Sequence, residues 1–266
     1  MRRVYIIPNL FTAGNLFCGL LAVFEAVAGF YDESRIVFAC QLVLLAAIFD
    51  VFDGLAARII RAQSSFGLNF DSLADVISFG AAPAILAFSW IEPVYPRLAR
   101  ATCGLFVICA ALRLARFNVQ AMREEKRTFL GLPSPGAGCA IVALVWVFAT
   151  RTTPWGDIPS EKLLPPLIVL AAYLMVSKVP YVGLKSIRLS NRQPFEILVS
   201  LVVVISIVFL LKQHLDLLLL SIFGLYALSG PVLMLLRGQK RPAPAAVVDA
   251  REESPGQTAR RGSSRA

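Results

Sequence analysis

The stretch Asp50–Asp75 reads DVFDGLAARIIRAQSSFGLNFDSLAD, with an apolar run, Val37–Ile48, before it and another, Val76–Trp90, after it. Four carboxylates at fixed spacing thus sit between two segments that seek hydrocarbon. Charged groups in such places are expensive and usually functional. The spacing is D-x2-D-G-x2-A-R-x8-G-x3-D-x3-D, filled by Asp50, Asp53, Gly54, Ala57, Arg58, Gly67, Asp71 and Asp75. A helix turns about 100° per residue. Asp50, Asp53, Gly54 and Ala57 therefore share one stripe, and Gly67, Asp71 and Asp75 form a second. If the connection between the two helices is tight, the carboxylate pairs face each other. Four acids so close repel one another unless cations lie between them. Hard divalent ions with oxygen ligands, Mg²⁺ or Mn²⁺, suit such a cluster. Two of them bridged by shared carboxylates would clamp a pyrophosphate. Gly54 and Ala57 lack bulk, which lets a nucleotide approach the helix backbone, and Gly67 relieves crowding where the helices meet. Carboxylates capping helices at a membrane surface would explain one pair, but not eight positions in register.

Around this stretch the chain is built for a bilayer. Its 266 residues are 57% hydrophobic, with a mean hydropathy of +0.70. Apolar runs long enough to span recur along most of it. The pattern predicts an all-α, polytopic membrane bundle of about eight transmembrane helices, at roughly 8–29, 35–60, 70–91, 99–121, 136–151, 164–177, 195–211 and 214–236. The fifth and sixth are short, which implies tilt or local thinning. The net charge of +9 is not read as a nucleic-acid signal, because its distribution follows the positive-inside rule. Arg2 and Arg3 precede the first span. Arg58 and Arg61 follow the second, Arg123, Lys126 and Arg127 the fourth, Lys178, Lys185, Arg188 and Arg192 the sixth, and Arg237, Lys240 and Arg241 the eighth. The alternate loops carry acids, as at Asp32–Glu33 and Asp157–Glu161. Both termini and the carboxylate-bearing connection are then cytoplasmic. Residues 1–236 read as one membrane-embedded domain and 237–266 as a disordered basic tail. The first apolar segment has no small-residue cleavage site and is read as a span rather than a secretory signal. The five cysteines, Cys18, Cys40, Cys103, Cys109 and Cys139, all fall inside spans without a CxxC pair and read as packing residues.

Other polar groups in apolar segments extend the pattern. Thr12 and Gly19 lie close on one stripe of the first span, flanked by Asn9 and Asn15. Such groups face protein or a cavity rather than lipid. The fourth span ends ALRLARFN, which places Arg113 and Arg116 on one face just inside the membrane boundary. An arginine fork suits phosphate or carboxylate, although snorkelling to the interface explains either residue alone. The segment FLGLPSPG, Phe129–Gly136, is a stiff, kinked return into the bilayer. His214 is the sole histidine and falls in a short outer loop, so no HxK motif exists, and neither a P-loop nor a GxSxG elbow occurs.

The pattern from Asp50 to Asp75 resembles the signature of the CDP-alcohol phosphatidyltransferases. ALRLARFN, FLGLPSPG and the later LMVSKVPY with Lys185 look like the subgroup that transfers phosphatidyl groups to L-serine. The resemblance covers about residues 5–190. It implies an integral membrane enzyme that takes CDP-diacylglycerol and L-serine and yields phosphatidylserine and CMP. It further implies two divalent cations, Mg²⁺ or Mn²⁺, on Asp50, Asp53, Asp71 and Asp75, with Asp75 also taking the proton of the attacking hydroxyl. Gly54, Ala57, Arg58, Gly67, Asn9 and Thr12 are implied to line the nucleotide. Arg113, Arg116, Asn118 and Lys178 are the candidates for the acceptor, and a homodimer is implied because family members are commonly dimeric. Other acceptors, such as glycerol phosphate or an inositol phosphate, and an ether-lipid donor fit the same signature. Outside enzymes the rival is a cation transporter using the four aspartates. A transport site belongs near the bilayer midplane between broken helices, whereas these acids cluster at one end beside Arg58.

Overall fold

A computed structural model describes residues 6–30, 32–60, 65–122, 131–150, 160–177, 179, 181 and 214–236. The described residues form helices joined by short turns, with no strand among them. The helices are α1 (Ile6–Ala28), α2 (Glu33–Ile60), α3 (Ser65–Asp75), α4 (Ala82–Ile91), α5 (Pro96–Met122), α6 (Ser134–Thr150), α7 (Ser160–Val176) and α8 (Leu215–Leu236). A π-helical segment, Val76–Ala81, joins α3 to α4. Among the described residues, five stretches are long and apolar enough to cross a membrane: Pro8–Ala28, Glu33–Ala56, Phe66–Ile91, Pro96–Val119 and Leu215–Val232. The chain is an integral membrane protein. The expected span at 195–211 and the tail lie outside the described residues.

Helix boundaries follow local chemistry. α1 and α5 carry Pro8 and Pro96 in their first turns, where the missing N–H has no intrahelical acceptor to serve. The apolar pattern places the sixth span at about 164, but α7 begins at Ser160 and runs through Pro165 and Pro166. Its polar first turn contributes Glu161, an acid favoured at the positive end of a helix. Ser160 also accepts a 2.8 Å hydrogen bond from Trp90 Nε1, which ties the start of α7 to the end of α4.

Association of helices in lipid depends on close packing more than on the hydrophobic effect, and small residues permit it. The π-helical segment illustrates this. Its buried Ser78, Phe79 and Gly80 lie at the centre of the bundle, against α1, α5 and α6. A Cβ on Gly19 of α1 would fall 2.9 Å from Ser78 Cα, and one on Gly138 of α6 would fall 2.7 Å from the Phe79 carbonyl oxygen. Glycines on both sides thus make room for the wider π turn. The Ser78 hydroxyl donates to the Asn15 carbonyl at 3.0 Å, locking α1 to the turn that follows Asp75. The cysteines are free, and all but the partly exposed Cys109 are buried, in keeping with packing.

Candidate active site

The carboxylates come together from the second half of α2, which carries Asp50 and Asp53, and the last turns of α3, which carry Asp71 and Asp75. Asp50, Asp53 and Asp71 each place an oxygen within 4.8 Å of the others. Asp53 and Asp75 are nearly inaccessible, at 6% and 7% exposure, while Asp50 and Asp71 are partly exposed. Asp75 stands deeper and outside the three-acid group, but within electrostatic reach of Asp50, Asp71 and Asp53. All-oxygen, anionic ligands at this separation fit a hard divalent cation.

α1 organises the cluster. It packs along α2 and also against α3 and the π segment, so its polar face meets both acid-bearing helices. Thr12 Oγ1 lies 3.0 Å from Asp53 Oδ2 and 3.1 Å from the Pro8 carbonyl. A hydroxyl has one proton, and donation to a carboxylate is the stronger bond. One turn further on, Asn15 Nδ2 donates to Asp75 Oδ1 at 3.2 Å. Asn15 is fully buried, and its Oδ1 makes no hydrogen bond. Each buried acid is therefore held by a neutral donor from α1 that leaves its charge intact. Sequence reasoning noticed Asn15 as a polar residue but gave it no partner. The signal was present, since Thr12 and Asn15 stand at i and i+3 and face one direction.

The other half of the site is built from α5, α6 and the end of α7. Arg113 Nη1 donates to Ser134 Oγ at 2.9 Å, and Ser134 is the buried first residue of α6. Arg113 Nε is buried and makes no hydrogen bond. Its guanidinium lies within electrostatic reach of Asp75, so this arginine belongs to the same site as the acids. Arg116, one turn on, points elsewhere. Its Nη1 donates to the Val176 carbonyl at 3.0 Å and its Nη2 to the Met175 carbonyl at 3.4 Å. A cation on the last carbonyls of α7 is a favourable helix terminus. The same turn receives Gly131 N–H at the Val179 carbonyl, 2.8 Å, and Leu132 N–H at the Leu174 carbonyl, 3.0 Å. Gly131 has φ +86°, with the Met175 carbonyl and the Arg116 guanidinium directly behind its Cα. Asn118 bonds side chain to side chain with Ser72 of α3 at 3.0 Å, which links the end of α5 to the helix carrying Asp71 and Asp75.

Of the other expected site residues, Gly54 lies beside Asp53, Gly67 is one turn before Asp71, and Asn9 is half-buried on α1. Ala57 and Arg58 continue α2 one turn beyond Asp53 and Gly54. Lys178 lies outside the described residues. His214 is exposed at the start of α8.

Comparison with known proteins bears on this site. The chain is similar to the CDP-diacylglycerol–serine O-phosphatidyltransferase of Helicobacter pylori, at 35% identity over 228 residues, 85% of this chain and 90% of that one. It is also similar to the enzyme of the same name in Bacillus subtilis, at 32% identity over 189 residues, 70% of this chain and 94% of that one. The archaetidylserine synthase of Methanothermobacter thermautotrophicus is 36% identical over 178 residues, 66% of this chain and 69% of that one. Residues 5–177 match the CDP-alcohol phosphatidyltransferase family. That match spans every acid of the cluster, the α1 donors and Arg113, and the chain belongs to this family of membrane enzymes.

Proposed function

We propose that the protein transfers the phosphatidyl group of CDP-diacylglycerol to the hydroxyl of L-serine, releasing CMP and phosphatidylserine. The observation that carries this reading is the juxtaposition, in one site, of a three-carboxylate cluster within 4.8 Å and a partly buried arginine, Arg113. The acids suit a metal-bridged pyrophosphate, and the arginine suits the carboxylate of an amino acid. The names of the relatives from Helicobacter and Bacillus support the same acceptor.

Asp50, Asp53 and Asp71, with Asp75, would hold two divalent cations, Mg²⁺ or Mn²⁺. Bound there, such ions would neutralise the pyrophosphate and ease departure of CMP. The remaining work falls to the chain. Thr12 holds Asp53 in orientation, and Gly54, Ala57, Arg58, Gly67 and Asn9 line the cytidine side. Asn15 fixes Asp75, which takes the proton of the serine hydroxyl. The serine oxygen bonds to the β-phosphorus as the bond from that phosphorus to the bridging oxygen breaks, and CMP leaves with the bridging oxygen. The displacement is direct, because no histidine stands at the site to form a covalent intermediate. Configuration at phosphorus therefore inverts. Arg113 receives the serine carboxylate through its free Nε edge, while Asn118 and Lys178 border the acceptor. Arg116 serves that border by fixing the end of α7. The distribution of basic residues supports a cytoplasmic site; membership of the family is what supports a homodimer, and the bacterial relatives a bacterial-type inner membrane.

An ether-lipid donor is a second reading, favoured by the similarity to an archaetidylserine synthase. Donor tails lie in the bilayer away from the acids, so both readings share one mechanism. The test is CMP release by purified protein from CDP-diacylglycerol, or its diether analogue, with L-serine, glycerol 3-phosphate, inositol phosphate and ethanolamine. Release that depends on L-serine supports the reading. Equal release with a phosphorylated acceptor would retain the family chemistry but remove serine.

A further inference from the structure

α3 carries Asp71 and Asp75, yet apolar packing leaves one side of it uncovered. It has 11 residues. It lies along α1, continues into the π-helical segment and touches α5 lightly, and its Phe66 and Leu73 are exposed. Such a helix can turn about its own axis. Side chains stand roughly 5 Å from a helix axis, so a turn of about 20° would carry Asp71 about 2 Å. Metal–ligand distances tolerate only about 0.2 Å. Two side-chain bonds from different helices oppose that rotation. Asn15 of α1 donates to Asp75 at 3.2 Å. Asn118 of α5 donates its Nδ2 to Ser72 Oγ at 3.0 Å, and that hydroxyl lies 3.1 Å from the Leu68 carbonyl one turn back. Asn118 Oδ1 is also 3.1 Å from Ser72 Oγ, so either orientation of the amide bonds this hydroxyl. Ser72 follows Asp71 directly and stands three residues before Asp75. The two tethers therefore grip α3 about 60° apart and nearly one turn apart along its axis. α5 is a fixed post at this level, because Arg116, two residues before Asn118, is bonded to the Val176 and Met175 carbonyls.

We propose that Asn118, acting through Ser72, is a positioning residue for the acid cluster: it fixes the rotation of α3 so that Asp71 meets Asp50 and Asp53 across a divalent cation. This rests on the reading that these acids hold such ions. Asn118 stands on the same helix as Arg113, but its amide is engaged with α3. α5 would then serve both halves of the site, through Arg113 on the acceptor side and through Asn118 on the acid side. The link matters before any substrate arrives, because acids already in register leave less ordering to be done when the ion binds.

The experiment compares wild type, Ser72→Ala, Asn118→Leu, their double variant and Ser72→Thr, each purified in detergent. Mn²⁺ alone is titrated, and its affinity is read from the electron paramagnetic resonance signal of the free ion, which needs no turnover. Melting temperature and KM for L-serine are measured alongside. Partners of ligand residues typically contribute 10- to 100-fold in metal affinity, and this link acts one step further out, so Ser72→Ala and Asn118→Leu should each weaken Mn²⁺ binding by roughly 3- to 10-fold. The double variant should bind no more weakly than either single one, because both remove the same link. Ser72→Thr keeps the hydroxyl and should bind Mn²⁺ as wild type does. KM for L-serine should not change in Ser72→Ala. Wild-type Mn²⁺ affinity in both single variants, with or without a lower melting temperature, would overturn the proposal, as would additive losses or a shift confined to KM for serine. If wild type binds Mn²⁺ no better than Asp53→Ala, the metal reading itself fails and the proposal with it. Mn²⁺ bound by wild type, lost in Asp53→Ala and indifferent to Ser72→Ala and Asn118→Leu overturns only the role of the Asn118–Ser72 link.

Discussion

The two halves of the site are assembled by different means. The acid half is local in sequence. Asp50 to Asp75 spans two helices, and α1 supplies a side-chain donor to each of the two buried acids. The half proposed to take the acceptor is gathered from α5, the first turn of α6 and the last turn of α7. The first half has carboxylates grouped within 4.8 Å, a density of like charge that makes sense around cations. The second has a partly buried arginine, Arg113, whose Nε makes no hydrogen bond. On the proposed function, chemistry in one compact unit and acceptor choice in a dispersed one would let the acceptor vary without disturbing the reaction.

If this division is right, substitutions in the two halves should fail differently. The largest effect belongs to the acids. Asp50→Ala, Asp53→Ala and Asp71→Ala should each lower turnover on the order of 10³-fold or more, by analogy with loss of one transition-state-stabilising group. Elution and thermal stability in detergent should stay near wild type, and the loss should hold at any serine concentration. Arg113→Gln comes next and should differ in kind. A charge-assisted hydrogen bond is worth about 1.5–3 kcal/mol, or roughly 10- to 150-fold in affinity, so KM for serine should rise by that factor with KM for CDP-diacylglycerol nearly unchanged. Were both constants to move together, the two halves would not be separable.

Thr12→Val tests the α1 donor. Partners of ligand residues typically cost 10- to 100-fold in metal affinity or activity. The substitution should raise the Mg²⁺ or Mn²⁺ concentration needed for half-maximal rate by that order and leave KM for serine alone. The smallest effect is on stability. Gly131→Ala places a Cβ at positive φ against the Met175 carbonyl. It should destabilise by more than about 1 kcal/mol, read as a lower melting temperature. Activity of the surviving folded protein should fall on the serine side first, because Gly131 sits in the buckle made by Arg116 and α7.

The same division explains what was legible in the sequence. The all-helical membrane class and the candidate acids were readable because each depends on short-range periodicity: runs of apolar residues, and aspartates at i, i+3 and i+4. The partnership of Thr12 with Asp53 and of Asn15 with Asp75 spans 41 and 60 residues, and no local pattern encodes that distance. Arg113 and Arg116 look alike in ALRLARFN. They diverge because three residues along the helix set them about 60° apart and nearly one turn apart along the axis, which brings the first to Ser134 and the second to the carbonyls ending α7. The start of α7 was misplaced by four residues because its first turn is polar and two prolines follow it, features that end helices in water but are tolerated where neighbouring helices satisfy the backbone.

The central claim is that the acid cluster works through divalent cations on CDP-diacylglycerol. It is tested most directly by CMP release from CDP-diacylglycerol and L-serine, measured on purified protein in excess chelator and again after Mg²⁺ or Mn²⁺ is restored. The account predicts release abolished by the chelator and recovered with the ion, with no recovery in Asp53→Ala. Full release in excess chelator would contradict it.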